Sequence, residues 1–281
     1  MTQETSTSGQ ETSAMRNQQL LRVEDYDRFL VASLSSKDHR CHVMALYALN
    51  VELAKTRYVV SEPALGEIRL AWWREAVTDM LAGTVRRHDI LEELTGAPIE
   101  EASLHALVDA RQADLYREPM ANMEALIAYA VDTSGQLEGM VAAMVGGNID
   151  CQVNARKVGT AWALIGLMRA LPHNLGQAPE QQWDYLPADR VAESGLKDAF
   201  STEPDQRQAL CEIVAGVCDV AGHLLEEAEA GDQTPPAKLL GVLCHSYLKA
   251  FSKAGYDPFT ANFEKGTLAR VIGLWWASVR L

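Results

Sequence analysis

The stretch DHRCHVMALYALNVELAKTRYVV, residues 38–60, decides how the chain is read. From Val43 to Leu53 its apolar side chains cover several sides of a 3.6-residue helix rather than one stripe. A helix with so little solvated surface belongs in a core. Outward from it, apolar residues recur at three- and four-residue steps almost everywhere after residue 20, while alternating β-branched runs are nearly absent. The pattern predicts an all-α fold.

Before the central segment, Tyr26 to Leu34 reads as a helix that breaks at Ser35 and Ser36. After it, Ser61-Glu62-Pro63 is a start signal, a proline of fixed φ behind a capping oxygen. The helix that follows is expected to place Leu65, Ile68, Trp72, Ala76 and Met80 inward and to end at Gly83. A further helix opens at Met123, kinks at Thr133-Ser134-Gly135, and closes at Gly146-Gly147. The next runs from about Asn154 to Leu171, with Pro172 as its stop. Residues 172–204 hold four prolines and read as a long connection around one short helix. Three closing helices span Gln206 to Ala230, Pro236 to Ala254, and Gly266 to Arg280. Residues 1–20, rich in Ser, Thr, Gln and Glu, are expected to be a disordered tail ahead of a single helical domain over 21–281.

Of 281 residues, 48% are hydrophobic and 22% charged, which excludes a wholly disordered or collagen-like chain. Acids outnumber bases 38 to 25, and the formal charge of -13 disfavours nonspecific nucleic-acid binding. The five cysteines form no CxxC pair, so neither a disulfide framework nor a zinc ribbon is expected. No apolar h-region opens the chain, and no run approaches the roughly 18 apolar residues of a membrane span. The expected place is cytoplasmic, with peripheral contact at an inner membrane. That contact would use the basic segment after Pro235, where Lys238, Lys249, Lys253, Lys265, Arg270 and Arg280 face only Asp257 and Glu264.

Taken alone, the residues are chemically quiet: GxSxG, GxxxxGK[ST], HExxH and GxGxxG are all missing. His39 and His42 lack a third metal ligand. Cys211 and Cys218 sit on an apolar stripe as small hydrophobes. Trp72-Trp73 and Trp275-Trp276 should each turn one ring inward and one outward.

At Tyr47-Ala48-Leu49-Asn50-Val51-Glu52-Leu53-Ala54 the sequence resembles the squalene/phytoene synthase family, enzymes that join two prenyl diphosphates head to head. Asp25-Tyr26-Asp27-Arg28, Arg40 and Tyr185-Leu186-Pro187 extend the resemblance over roughly residues 20 to 280. It implies an isoprenoid-synthase helical bundle around a central cavity. In working members two motifs each place Asp residues four apart on a helix face, where facing pairs clamp Mg²⁺ against diphosphates. The corresponding positions here hold Ala54 and Tyr58, then Ala170 and Asn174. None is acidic.

A narrower resemblance, through Val60-Ser61-Glu62-Pro63, Trp72-Trp73 and Gly166-Leu167-Met168-Arg169-Ala170, is to the branch with degenerate aspartate motifs. That branch includes the mitochondrial respiratory complex I assembly factor and its alphaproteobacterial relatives, and the lack of a transit-like leader points to a bacterial member. It implies a pseudo-enzyme without metal or cofactor, aiding assembly of an NADH dehydrogenase membrane complex, with a respiratory-complex subunit as partner. One alternative is a head-to-head prenyl transferase that uses Mg²⁺ and other acids such as Glu52 or Glu62. Another is an isoprenoid or lipid carrier, with Arg40, Tyr47, Lys55, Arg57, Arg169 and Tyr185 as candidate ligand or phosphate contacts.

Overall fold

The structure is a computed structural model that describes residues 4–116, 118–177, 185–263 and 267–279. Among the described residues there are helices and turns and no strand. In chain order α1 is Glu4–Glu24, α2 Tyr26–Ser33, α3 Arg40–Ala54, α4 Thr56–Val59 and α5 Pro63–Leu81. Short helices follow: α6 Asp89–Leu94, α7 Glu101–Asp109 and α8 Ala113–Tyr116. Then α9 Met123–Ala130 passes through a π-turn, Val131–Gly135, into α10 Gln136–Met144. The remainder is α11 Ile149–Gln177, α12 Ala188–Ser194, α13 Pro204–Glu229, α14 Pro235–Lys253 and α15 Thr267–Val279.

The segment that set the reading is indeed interior: α3 buries every residue from Val43 to Val51, and Leu53. It anchors one apolar cluster with Leu70 and Trp73 of α5, Leu91 of α6, Leu107 of α7 and Val141 of α10. A second cluster forms where α11 meets α13 and α14 through Leu164, Ile165, Val217, Leu243 and Phe251. The kink expected at Thr133-Ser134-Gly135 is the π-turn, a local form that often marks functional sites. Glycine lets α11 come close to it: a Cβ on Gly159 would stand 2.4 Å from the Ser134 carbonyl oxygen and 2.7 Å from Glu138 Cγ.

Several expectations are corrected. The tail expected at residues 1–20 is helical from Glu4, and α1 packs on α3 and α6. Its anchors are mostly polar: Ser13 Oγ donates to Asp89 and Glu92 at 3.0 and 2.8 Å, and Arg16 pairs with Asp89 at 3.0 Å. Asn17 donates to the Asp89 carbonyl at 3.1 Å. Such anchors leave no apolar stripe to read. Pro172 does not stop α11, which runs five residues further. Proline removes one amide donor and crowds one carbonyl, a defect that a long packed helix absorbs near its end. The inner face of α5 is Gly66, Leu70, Trp73, Val77 and Met80, with Ala76, whereas Leu65, Ile68 and Trp72 are exposed. Trp73 is buried, as a one-in, one-out pair requires, but Trp275 and Trp276 both face solvent. By length and composition α13 could cross a membrane. Its apolar face, from Leu210 to Ala228, lies in the second cluster.

Gly159→Ala should cost about 1–3 kcal/mol in urea unfolding, because the new methyl meets a backbone carbonyl that cannot step aside. Gly222→Ala, where nothing lies within 4 Å, should instead stabilise α13 by roughly 0.5–1 kcal/mol.

Candidate functional site

The four motif positions converge. Ala54 at the end of α3, Tyr58 of α4, and Ala170 and Asn174 of α11 all line one cavity of about 540 Å³. Its walls are completed by Glu24, Asp25 and Arg28 at the α1–α2 junction, by Asn50, Lys55, Arg111 and Tyr129, by Thr133 and Ser134 of the π-turn, and by Trp162 and His173 of α11. Across the cavity the Tyr58 hydroxyl donates to Asn174 Oδ1 at 3.3 Å. Positions that the family resemblance assigns to metal-binding acids thus touch each other through neutral groups.

The cavity wall includes a buried charge. Arg28 donates through Nε to Glu138 Oε1 at 3.1 Å, through Nη1 to Asp25 at 3.2 Å and through Nη2 to Ser134 Oγ at 2.5 Å. Its guanidinium lies 5.3 Å from the Tyr47 ring and 5.7 Å from that of Trp162. Glu138 takes a second hydrogen bond from the Tyr47 hydroxyl at 2.9 Å. Burial works against the Arg28 charge, but Asp25, Glu138 and Tyr47 outweigh it and hold its pKa above the ordinary value. For Glu138 the balance differs: burial pushes its carboxyl up, and Arg28 and Tyr47 only partly restrain it.

A second polar centre adjoins the first. Arg111 donates to Asn50 Oδ1 at 2.8 Å, to the Tyr129 hydroxyl at 3.1 Å and to Asp114 at 3.3 Å. Asp114 also accepts from Tyr129 at 2.7 Å and from Tyr185 at 3.0 Å. Burial raises the Tyr129 and Tyr185 hydroxyls well above ordinary tyrosine, so both remain protonated donors.

The candidate contact residues separate by position. Lys55 lines the cavity and pairs with Glu24 at 2.9 Å. Arg169 faces an adjoining cavity of about 860 Å³, which shares Glu24, Asp25, Trp162, Gly166 and Ala170 with the first. There Arg169 pairs with Asp27 at 3.7 Å and lies 3.9 Å from the centre of the Tyr247 ring. Tyr47 is engaged by Glu138, and buried Arg57 donates to the Tyr185 hydroxyl. Arg40 bonds the Ser35 carbonyl at 3.0 Å, closing the α2–α3 turn away from both cavities. Glu52 bonds Arg69 at 2.7 Å and Glu62 is the N-cap of α5; neither lines the cavity. Residue-by-residue reading missed Arg28, Glu138, Ser134, Arg111 and Asp114. Only Arg28, inside the Asp25–Arg28 motif, and Ser134, inside the kink signal Thr133-Ser134-Gly135, carried any sequence signal.

Comparison with known proteins agrees with this architecture. The squalene/phytoene synthase family matches residues 21–271. Curated relatives include NADH dehydrogenase (ubiquinone) complex I, assembly factor 6 of Mus musculus, 25% identical over 93% of this chain and 80% of that protein. The Homo sapiens protein of the same name is 25% identical over 89% and 77%. Among solved structures, a dehydrosqualene synthase in complex with ligand superposes with a TM-score of 0.76, at 16% identity and 98% coverage of both chains. A squalene synthase of Alicyclobacillus acidocaldarius gives 0.73 at 16% identity, covering 89% of this chain and 97% of that one.

Arg28→Leu should destabilise the fold by about 3–5 kcal/mol at pH 8, since it leaves Glu138 charged and buried. A carboxyl whose folded pKa is raised binds an extra proton in the native state, so its burden grows as pH rises above its unfolded pKa. The deficit of Arg28→Leu, followed by urea unfolding against the parent chain, should therefore be smaller near about pH 5 than at pH 8.

Proposed function

Since this chain belongs to the squalene/phytoene synthase family, we infer that its cavity has lost the family's prenyl-diphosphate chemistry and that it acts by binding, in the assembly of a membrane NADH dehydrogenase complex. The observation that carries this reading is the chemistry of the donor set: Ala54, Tyr58, Ala170 and Asn174 meet in one cavity and none of the four brings a carboxylate. Mg²⁺ between protein and diphosphate wants one or two carboxylates. Alanine supplies no donor atom, while a tyrosine hydroxyl and an asparagine carbonyl bring no charge. The acids that do line the cavity, Glu24 and Asp25, are paired with Lys55 and Arg28. The residues present therefore do not fit the metal, and no catalytic step is assigned through it. The relatives named as complex I assembly factor 6 support the assembly role.

A second reading, an isoprenoid or lipid ligand held without metal, draws on the cavity itself. Its volume lies within the roughly 300–1,000 Å³ typical of small-molecule sites. Lys55 on the cavity wall and Arg169 in the adjoining cavity are cations that would suit a phosphate head group.

Incubated with farnesyl or geranylgeranyl diphosphate, Mg²⁺ and NADPH, the purified chain should form C30 or C40 product at least about 1,000-fold more slowly than a working squalene synthase, the equivalent of ~4 kcal/mol. Robust product formation would overturn the binding reading. Deletion of the gene should lower NADH:quinone oxidoreductase activity in membranes while leaving isoprenoid lipids unchanged, and re-expression should restore it. Loss of those lipids with an intact oxidoreductase would exclude the assembly role.

A further inference from the structure

The closing helix α15 has two apolar faces. One is turned inward, where Leu274 is 1% exposed in the second cluster and the helix packs on α14. The other is turned outward: Ile272, Trp275, Trp276 and Val279 are 47, 54, 52 and 62% exposed. Their spacing of three, four and seven residues gathers them on an arc of about 100° on the solvent side. The two indoles meet edge to face with centroids 5.6 Å apart. A core helix needs no such second face.

The neighbouring charge is predominantly basic. Helix α14 contains Lys238, Lys249 and Lys253, all exposed, and no acid. From Pro235 to Leu281 the sequence carries six Lys or Arg against Asp257 and Glu264, in a chain whose net charge is -13. We propose that the outer face of α15 seats this protein on an anionic lipid surface, with the indoles at the headgroup level and the exposed lysines of α14 held by lipid phosphates. Tryptophan suits that boundary because its ring is apolar and its N–H polar. At 13 residues the helix is about 20 Å long, too short for a hydrocarbon core of roughly 30 Å, so it lies along the interface rather than through it.

A second copy of the chain fits the same face less well. Four half-exposed side chains offer roughly 300–400 Å² per copy, against about 800 Å² per partner in a stable interface. Two such basic segments would also repel each other. Membrane docking gives the assembly role a place of action and rests on that role only for its biological setting.

Sedimentation of the full chain with vesicles tests the proposal. Binding is expected with phosphatidylcholine vesicles containing about one third phosphatidylglycerol, and should weaken with salt and with neutral lipid alone. Trp275→Ser/Trp276→Ser should bind about tenfold more weakly, and Lys249→Glu/Lys253→Glu should reduce binding most at low salt. Each substituted side chain is exposed, so unchanged circular dichroism and thermal unfolding would establish that the variants fold. Equal binding by parent and tryptophan variant, or no binding to anionic vesicles, would overturn the proposal. So would a parent dimer that the tryptophan variant dissolves without any vesicle binding. No respiratory complex is present in this assay, so its failure and that of the assembly role are told apart by the deletion experiment.

Discussion

A guanidinium buried between two apolar clusters constrains the rest of this structure. Arg28 sits between the ring of Tyr47, in the cluster around α3, and the ring of Trp162, in the cluster around α11. A charge there is tolerable only when its donors are matched, and Asp25, Ser134 and Glu138 supply the acceptors. Matching it holds α2, the π-turn and α10 in register with one another. The π-turn is what presents Ser134 to that charge, and Gly159 is what lets α11 close over the turn. Cavity geometry therefore depends on a polar network as much as on apolar packing.

That dependence separates the supports of the cavity from the four positions that the family resemblance aligns with acids. The walls are held by Arg28, Glu138, Arg111 and Asp114, none of which is among the four positions aligned with the family's metal-binding acids. Ala54, Tyr58, Ala170 and Asn174 line the cavity without being among those supports. The Tyr58–Asn174 hydrogen bond joins α4 to α11 across that space. The residues that support the cavity and those at the four aligned positions are thus different sets.

How much of this was legible in the sequence differs by element. The apolar helix α3 and the kink at Thr133-Ser134-Gly135 were readable because periodicity and helix-breaking composition are local. Helix α1 was not, since beyond Leu21 its anchors are hydrogen bonds to Asp89 and Glu92, more than 70 residues away. The inner face of α5 was misassigned because Leu65, Ile68 and Trp72 form as good an apolar stripe as the one that is buried. The same ambiguity made a one-in, one-out pair of Trp275 and Trp276, both of which are exposed. In the site, the motif positions were found through family resemblance. The Arg28–Glu138 pair, 110 residues apart, was not found at all.

By itself the sequence determined the helical class, the acidic balance with its basic C-terminal exception, and the neutral residues Ala54, Tyr58, Ala170 and Asn174 at four positions that the family resemblance singles out. These are properties of residue type and short-range spacing. Only the tertiary structure decided that those four positions share one cavity, which face of α5 and α15 is buried, and which acids are already paired. Burial and charge pairing join residues distant in the chain, and desolvation, which ranks one apolar face above another, acts only once the partner surfaces are in place.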